Sequence, residues 1–455
     1  MFSKSFIVQS SFVIILLSLS FKYFHTNILS WKEIKDFPPV ISPLAYHLTL
    51  STIFFISISL SFNPPTTKIR FFILYTLTFL QILLPMLYNS RYNCTFQAAN
   101  SIFNFVIACK LLLWLKKFHS SNTQKFEFNS FFSMLFNWRP DALEIDRSER
   151  KYIDQVTLKN YFVNQGKRVA ITILKLLVFE FLLAWVEAYK PIIPDRIYLL
   201  RFIDYLLKGN PFITPFYLFY HYVLAVNVYI YISLVYDLFV LFFGLFLLPL
   251  LLLQTNQLSQ DSVYKSSKSQ YQSTQSTNLS TTRKVKEWLI LLLFYTKDPM
   301  NLPFMSTSPR DFWSKRWHIV LREIFLDLGY VPVKNLFGKH KKIGKVFGTL
   351  SAFFVSGLLH EHIVYCMWGT RPGEQMFFFL FHGLLLILWE FVEGLLVGNK
   401  MIMHEVKDSW GIWLFKLVLF NTFGIFSIPS FMEPYLREDS FVCMIQVGLF
   451  HNKIR

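Results

Sequence analysis

Two short runs in this chain gather residues that can move protons and hold charge. One is Thr307-Ser308-Pro309-Arg310-Asp311-Phe312-Trp313-Ser314-Lys315-Arg316-Trp317-His318; the other is Phe353-Phe354-Val355-Ser356-Gly357-Leu358-Leu359-His360-Glu361-His362. In the second run His360 sits in an apolar stretch, and Ser356 and Gly357 lie one helical turn earlier on its face. Small residues there leave room for another group to approach the ring. An imidazole beside such a space can take a proton near neutral pH. An apolar surround lowers a histidine pKa, so His360 should be neutral and able to act as a base. His362, two residues on, points to the opposite side. A histidine in an apolar helix serves equally well as a core residue bonded to a neighbouring helix, and the pattern alone does not separate the two.

The first run places Trp313 and Trp317 four residues apart, with Lys315 and Arg316 between them. On a helix this is also the composition of an interfacial element: an aromatic belt with a basic face toward headgroups. The presence of His318 some forty residues before His360 sits less easily with that plain reading. His382, Glu390 and Glu393 add polar groups to a later apolar stretch, where His382 and Glu393 share a helix face and could line the same cavity or simply pair. Glu361 is turned about 100° from His360 on a helix and is expected to meet a basic side chain on a neighbour.

In these residues the chain resembles the wax synthase branch of the membrane-bound O-acyltransferases. The resemblance rests on Ser308, Phe312-Trp313, Arg316-Trp317-His318 and then Ser356-Gly357, His360-Glu361, with Pro299, Phe304 and the His382-Gly383 pair in support. It covers roughly 295–390. Other branches of that superfamily usually carry Asn or Asp at the position of His318, whereas the wax synthase branch has His. The resemblance implies transfer of an acyl group from acyl-CoA to the hydroxyl of a lipophilic alcohol within the membrane. His360 would be the general base and His318 would orient the substrates and stabilise developing charge. Trp313, Trp317, Ser356 and Gly357 would line the substrate site, with the two small residues letting the thioester reach the base. The anionic CoA end would stay at the cytoplasmic surface, received by Arg316 and Lys315 in preference to Arg310, Arg322, Lys339, Lys341 and Lys342. Acyl-CoA is a co-substrate here, and no resident cofactor or metal is implied.

The elements that must position these residues are membrane helices. Of 455 residues 53% are hydrophobic and only 16% charged, with 52 Phe, against about 25% charged in ordinary soluble domains. This excludes a soluble enzyme, a disordered chain and a disulfide scaffold. The fold class expected is all-α, a polytopic bundle of about nine to eleven spans. The apolar stretches are 5–21, 44–62, 71–88, 99–115, 169–189, 212–234, 236–254, 346–366, 376–397 and 411–432, with a shorter 441–450. The first is read as an uncleaved span. Cys94, Cys109, Cys366 and Cys443 form no disulfide or metal-ligand spacing and read as apolar fillers.

The organisation expected is N-terminal spans over 1–115, a basic cytoplasmic loop over 116–168 and central spans over 169–254. A disordered Ser/Thr/Gln-rich insertion over 255–287 and a catalytic region with the last spans over 288–455 follow. The insertion rests on 255–282, where twenty of twenty-eight residues are Ser, Thr, Asn or Gln. The net charge of +17 fits basic loops against anionic lipid, with no nucleic acid implied. Both 116–168 and 255–345 are basic enough to belong in the cytoplasm, yet the span list puts three crossings between them. Asp237, at the junction of two of those spans, marks either a turn or a cavity. The same chemistry on a sterol, a diacylglycerol or another alcohol is not separated by these motifs. A transporter is the rival from another class, though no internal repeat supports it. Many spans, without a cleaved signal or a peroxisomal tail, point to the endoplasmic reticulum.

Overall fold

The computed structural model describes residues 43–62, 68–87, 94–120, 156–209, 213–264, 276–294, 298–369, 373–398 and 410–437. Helix is the only regular structure among them, as it must be where lipid offers the backbone no hydrogen bonds. The helices are α1 (Pro43–Phe62), α2 (Lys68–Leu87), α3 (Cys94–Ser120), α4 (Leu158–Ala188), α5 (Tyr198–Lys208), α6 (Pro215–Tyr264), α7 (Ser276–Phe294), α8 (Val331–Leu336), α9 (Lys341–Trp368), α10 (Glu374–Gly398) and α11 (Trp410–Arg437). Five of them, α4, α6, α9, α10 and α11, are long and apolar enough to cross a membrane, and shorter apolar stretches lie in α1, α2 and α3. The chain is thus an integral membrane protein, all-helical over its described residues. The stretches 5–21 and 441–450 lie outside the described residues.

The stretches 212–234 and 236–254 prove to be one helix, α6. Asp237 therefore marks no turn, and it does not line the cavity described below. No Gly or Pro stands near it to break the helix. Its charge is met across the α4 interface by Arg168 and Lys175, and Lys175 Nζ also donates to Ser233 Oγ at 2.7 Å. Arg168 reaches on to Asp298 at 3.3 Å. A single helix here leaves two crossings, α4 and α6, between the two basic segments. An even number of candidate spans accords with the positive charge of both segments, which favours the same side of a membrane.

The polar segments are shorter than their composition predicts. Residues 255–264 continue α6 and 276–287 open α7, so the disordered insertion is corrected over those stretches. Extending an existing helix costs far less than starting one, and Arg283 with Glu287 adds an i,i+4 pair at 2.9 Å. Likewise α3 runs to Ser120 and α4 begins at Leu158. The remainder of both segments, 121–155 and 265–275, lies outside the described residues.

Helix α9 packs on more elements than one and sits at the centre of the C-terminal part of the bundle. One face, with Leu359, Ile363 and Met367, packs on Phe105, Val106 and Cys109 of α3. His362 is on that face, its ring 5.5 Å from Phe105. A second face packs on α10, and a third receives residues 325–336. There Gly329 lets backbone meet backbone, since a Cβ would come within 2.8 Å of Ala352 Cα.

Candidate active site

Residues 298–321 form an irregular segment that enters the bundle and turns back. Near its inner tip the Phe304 ring packs at 5.6 Å from Tyr222 and 5.5 Å from Tyr229 of α6. The Phe304 carbonyl accepts from Asn421 of α11 at 3.1 Å. Non-helical backbone survives at this depth only if protein satisfies it. The two arms do so for each other: Asn301 N donates to Arg316 O at 2.8 Å and Ile319 N to Pro299 O at 3.1 Å. Ser308 Oγ accepts from Asp311 N at 3.1 Å and starts a helical turn. That turn widens over Phe312–Arg316, where Trp317 N reaches Phe312 O at 2.9 Å. The run is therefore no amphipathic interfacial helix, and Trp313 and Trp317 do not share one regular face. Trp317 is extended, and His318 is left-handed with φ 45°. That conformation costs a non-glycine residue on the order of 1–3 kcal/mol. The other non-glycine residue at positive φ among the described residues, Leu302 at 41°, stands on the facing arm.

Behind this segment lies a cavity of about 440 Å³. From α9 it is lined by Lys345, Thr349, Ala352, Ser356 and His360, in steps of three or four along one helix face, with Phe353 beside Ala352. Fifteen residues at 1.5 Å each make this wall about 22 Å long. The irregular segment contributes Arg310, Trp313, Ser314, Trp317 and His318, and α10 contributes Leu386 and Glu390. His318 and His360 thus face one space. His360 stacks on Phe379 at 4.7 Å and meets Phe431 edge-on at 5.1 Å. Its Nδ1 is buried with no hydrogen-bond partner among the described residues. Trp313 is held between Phe353 at 5.3 Å, Phe379 at 5.6 Å and His382 at 5.5 Å. Trp317 stacks on Phe312 at 5.3 Å. Toward the α9 N-terminus the walls become basic through Arg310, Arg322 and Lys345, with Arg310 paired to Glu390. The result is a long apolar pocket with two imidazoles and a cationic mouth, suited to a substrate with an anionic head and a reactive group carried on an apolar chain.

Several expected site residues fall elsewhere. Gly357 does not line the cavity; a Cβ there would meet Met376 Sδ at 2.7 Å and Met376 Cα at 3.1 Å, so its smallness admits α10 rather than a thioester. Arg316 also lies off the cavity. Its Nε donates to Asp311 Oδ2 at 2.7 Å, and its Nη1 lies 3.3 Å from the carbonyl oxygens of Asn301 and Leu302. Lys315 is exposed and off the cavity, as are Lys339, Lys341 and Lys342. Of the polar groups on α10, Glu390 lines the cavity whereas Glu393 pairs with Lys416 at 2.7 Å. His382 is buried behind Trp313, its Nδ1 2.9 Å from Phe378 O and its Nε2 3.3 Å from Ser427 Oγ. Glu361 meets no basic partner in this arrangement but accepts the backbone N–H of Met376 at 3.0 Å, tying α9 to the start of α10. Lys345, Thr349 and Ala352 had no place in the motif reading. Stepping back from His360 by helical repeats would have found all three.

Comparison with known proteins bears on the same segment. Residues 297–381 match the Membrane bound O-acyl transferase family. A probable long-chain-alcohol O-fatty-acyltransferase 1 of Arabidopsis thaliana is 37% identical over 89 residues, 18% of this chain and 25% of that one. The long-chain-alcohol O-fatty-acyltransferase of Simmondsia chinensis is 31% identical over 126 residues, 25% of this chain and 36% of the relative. Acyl-CoA–sterol O-acyltransferase 1 of Arabidopsis thaliana is 38% identical over 160 residues, 34% and 44% of the two chains. The chain therefore spans between a quarter and less than half of the length of these relatives. Two of the three names carry the alcohol chemistry of the wax synthase-like branch, in agreement with the motif.

Proposed function

We propose that this protein is an O-acyltransferase that moves an acyl group from acyl-CoA to the hydroxyl of a lipophilic alcohol, in the endoplasmic reticulum membrane where both substrates meet. The observation that carries this reading is the pair His318 and His360 lining one largely apolar cavity with a basic mouth. Arg310, Arg322 and Lys345 receive the phosphates of CoA, and the thioester lies deeper, beside His360. His360 takes the proton of the acceptor hydroxyl as its oxygen attacks the thioester carbon. His318 donates to the carbonyl oxygen as that oxygen gains charge. The C–S bond then breaks, and the CoA thiolate leaves with the proton held by His360, so no net proton is taken up. The stacked Phe379 and the Trp313 cluster keep water, a competing acceptor, away from the thioester.

The acceptor is a long-chain alcohol. A sterol is the second reading, supported by the 38% identity to a sterol acyltransferase over 160 residues. Membranes holding the full-length chain, given labelled acyl-CoA and a panel of fatty alcohols and sterols, should form wax esters. Sterol esters alone would select the second reading, and no ester with any acceptor would overturn both.

A further inference from the structure

Resting on the acyl-transfer reading, we infer that Arg316 and Asp311 are positioning residues, which lock the 298–321 turn in the shape that aims His318 into the cavity. Three observations converge on this pair. Arg316 is off the cavity, so it does not touch a substrate seated there. Its guanidinium spends its donors on protein: Nε on Asp311 at 2.7 Å, and Nη1 toward the Asn301 and Leu302 carbonyls at 3.3 Å each. Its own carbonyl accepts from Asn301 N at 2.8 Å, so one residue clasps the entering arm from both its backbone and its side chain.

What the clasp holds is a backbone that resists its own shape. Leu302 and His318, at φ 41° and 45°, are left-handed on opposite arms. A leucine at positive φ is an outlier that persists only where its surroundings over-determine it. Arg316 binds the carbonyl of that leucine and stands two residues before His318. Asp311 anchors the far side of the guanidinium from within the helical turn started by Ser308. A planar fork serves three acceptors in fixed directions; the ammonium of lysine, a point charge on a flexible stem, does not. With the clasp gone, the widened turn relaxes and the His318 ring leaves its place beside the reacting carbonyl. An ångström of misplacement costs about 10²-fold in rate.

The test is a split of kcat from KM in full-length protein in membranes. Arg316→Lys and Asp311→Asn should each lower kcat by about 10²-fold, leave KM for acyl-CoA unchanged and keep wild-type expression and thermal midpoint. The double variant should be no worse than Arg316→Lys alone, because that substitution already removes the Arg316–Asp311 contact. Asp311→Glu keeps the charge and shifts its reach; it should be a folded intermediate with partial kcat and unchanged KM. Full kcat in Arg316→Lys would overturn the inference. So would a raised KM for acyl-CoA at normal kcat, since that is how a phosphate-binding arginine behaves and Asp311→Asn would not share it. A fall in thermal midpoint matching the fall in activity across all three single variants would also overturn it, by reducing the pair to general stability. An inactive wild type removes the acyl-transfer reading and the inference with it, whereas an active wild type with unaffected variants removes the inference alone.

Discussion

Two regions of the bundle bury polar side chains among apolar ones and treat them in opposite ways. At the end where α5, α10 and α11 meet, Glu374 and Glu433 are 2% and 0% exposed. Glu374 accepts from Tyr198 N at 2.9 Å and from both terminal nitrogens of Arg437 at 2.6 and 2.9 Å. Glu433 meets Arg201, the Tyr217 hydroxyl and, at 2.9 Å, Arg437. Every charge in this quartet faces an opposite one. Around the cavity, the Arg310–Glu390 pair apart, polar groups are left open: His360 Nδ1 and Trp313 Nε1 are buried without hydrogen-bond partners among the described residues. Arg322 and Lys345 at the mouth line the cavity with no salt bridge among the described residues. An unsatisfied buried polar atom costs about 1–3 kcal/mol; Gln81 Oε1 and Gln165 Nε2 carry that cost elsewhere in the bundle, but around the cavity such atoms stand beside open space. Holding a fold calls for the first arrangement, and receiving a substrate calls for the second.

If that contrast is right, mutations in the two regions fail differently. His360→Ala should have the largest effect, lowering turnover by about 10²–10⁴-fold while membrane insertion and thermal midpoint stay near wild type. His362→Ala, on the α3 face of the same helix, should cost far less turnover. Equal losses from both would erase the distinction between a base and a core histidine. Glu433→Gln should invert the pattern. It takes the counter-charge from buried Arg201 while Arg437 keeps Glu374, and should cost about 3–5 kcal/mol of stability, read as a lower thermal midpoint, with KM for acyl-CoA unchanged in the surviving fold. Smallest should be Lys345→Ala and Arg322→Ala. Exposed charges contribute up to about 1 kcal/mol, so each should raise KM for acyl-CoA by about 5-fold at most, with kcat unchanged. Salt should narrow the difference from wild type, and a salt-independent KM would detach these residues from the phosphates.

The helical membrane class was legible because lipid demands long apolar helices and the chain has them. The number of crossings was not. Asp237 reads locally as the end of a span, and the cations that let it stay inside, Arg168 and Lys175, are more than sixty residues away in sequence. In the site, His360 with Ser356 was legible because both sit on one face of one helix, and periodicity reports faces. Arg316 was not, because its partners include two carbonyls, and backbone acceptors leave no mark in a sequence. Gly357 was misread for a related reason: a missing side chain shows that something comes close, not that the neighbour is Met376. The shape of the turn before His318 was equally hidden, since Phe312–Arg316 has the composition of an ordinary amphipathic helix.

The left-handed backbone at His318 also acts as a filter on evolutionary substitution. Apart from glycine, the residues that enter this region most readily are Asn, Asp and His. In the motif resemblance, those are the types found at this position: His in the wax synthase branch, Asn or Asp elsewhere in the superfamily. Many side chains could donate a hydrogen bond to an acyl carbonyl, Gln, Lys, Thr and Tyr among them, but a branched or bulky one would first have to overcome the turn. The backbone at φ 45° thus narrows the residues that fit this position before any chemistry is asked of them.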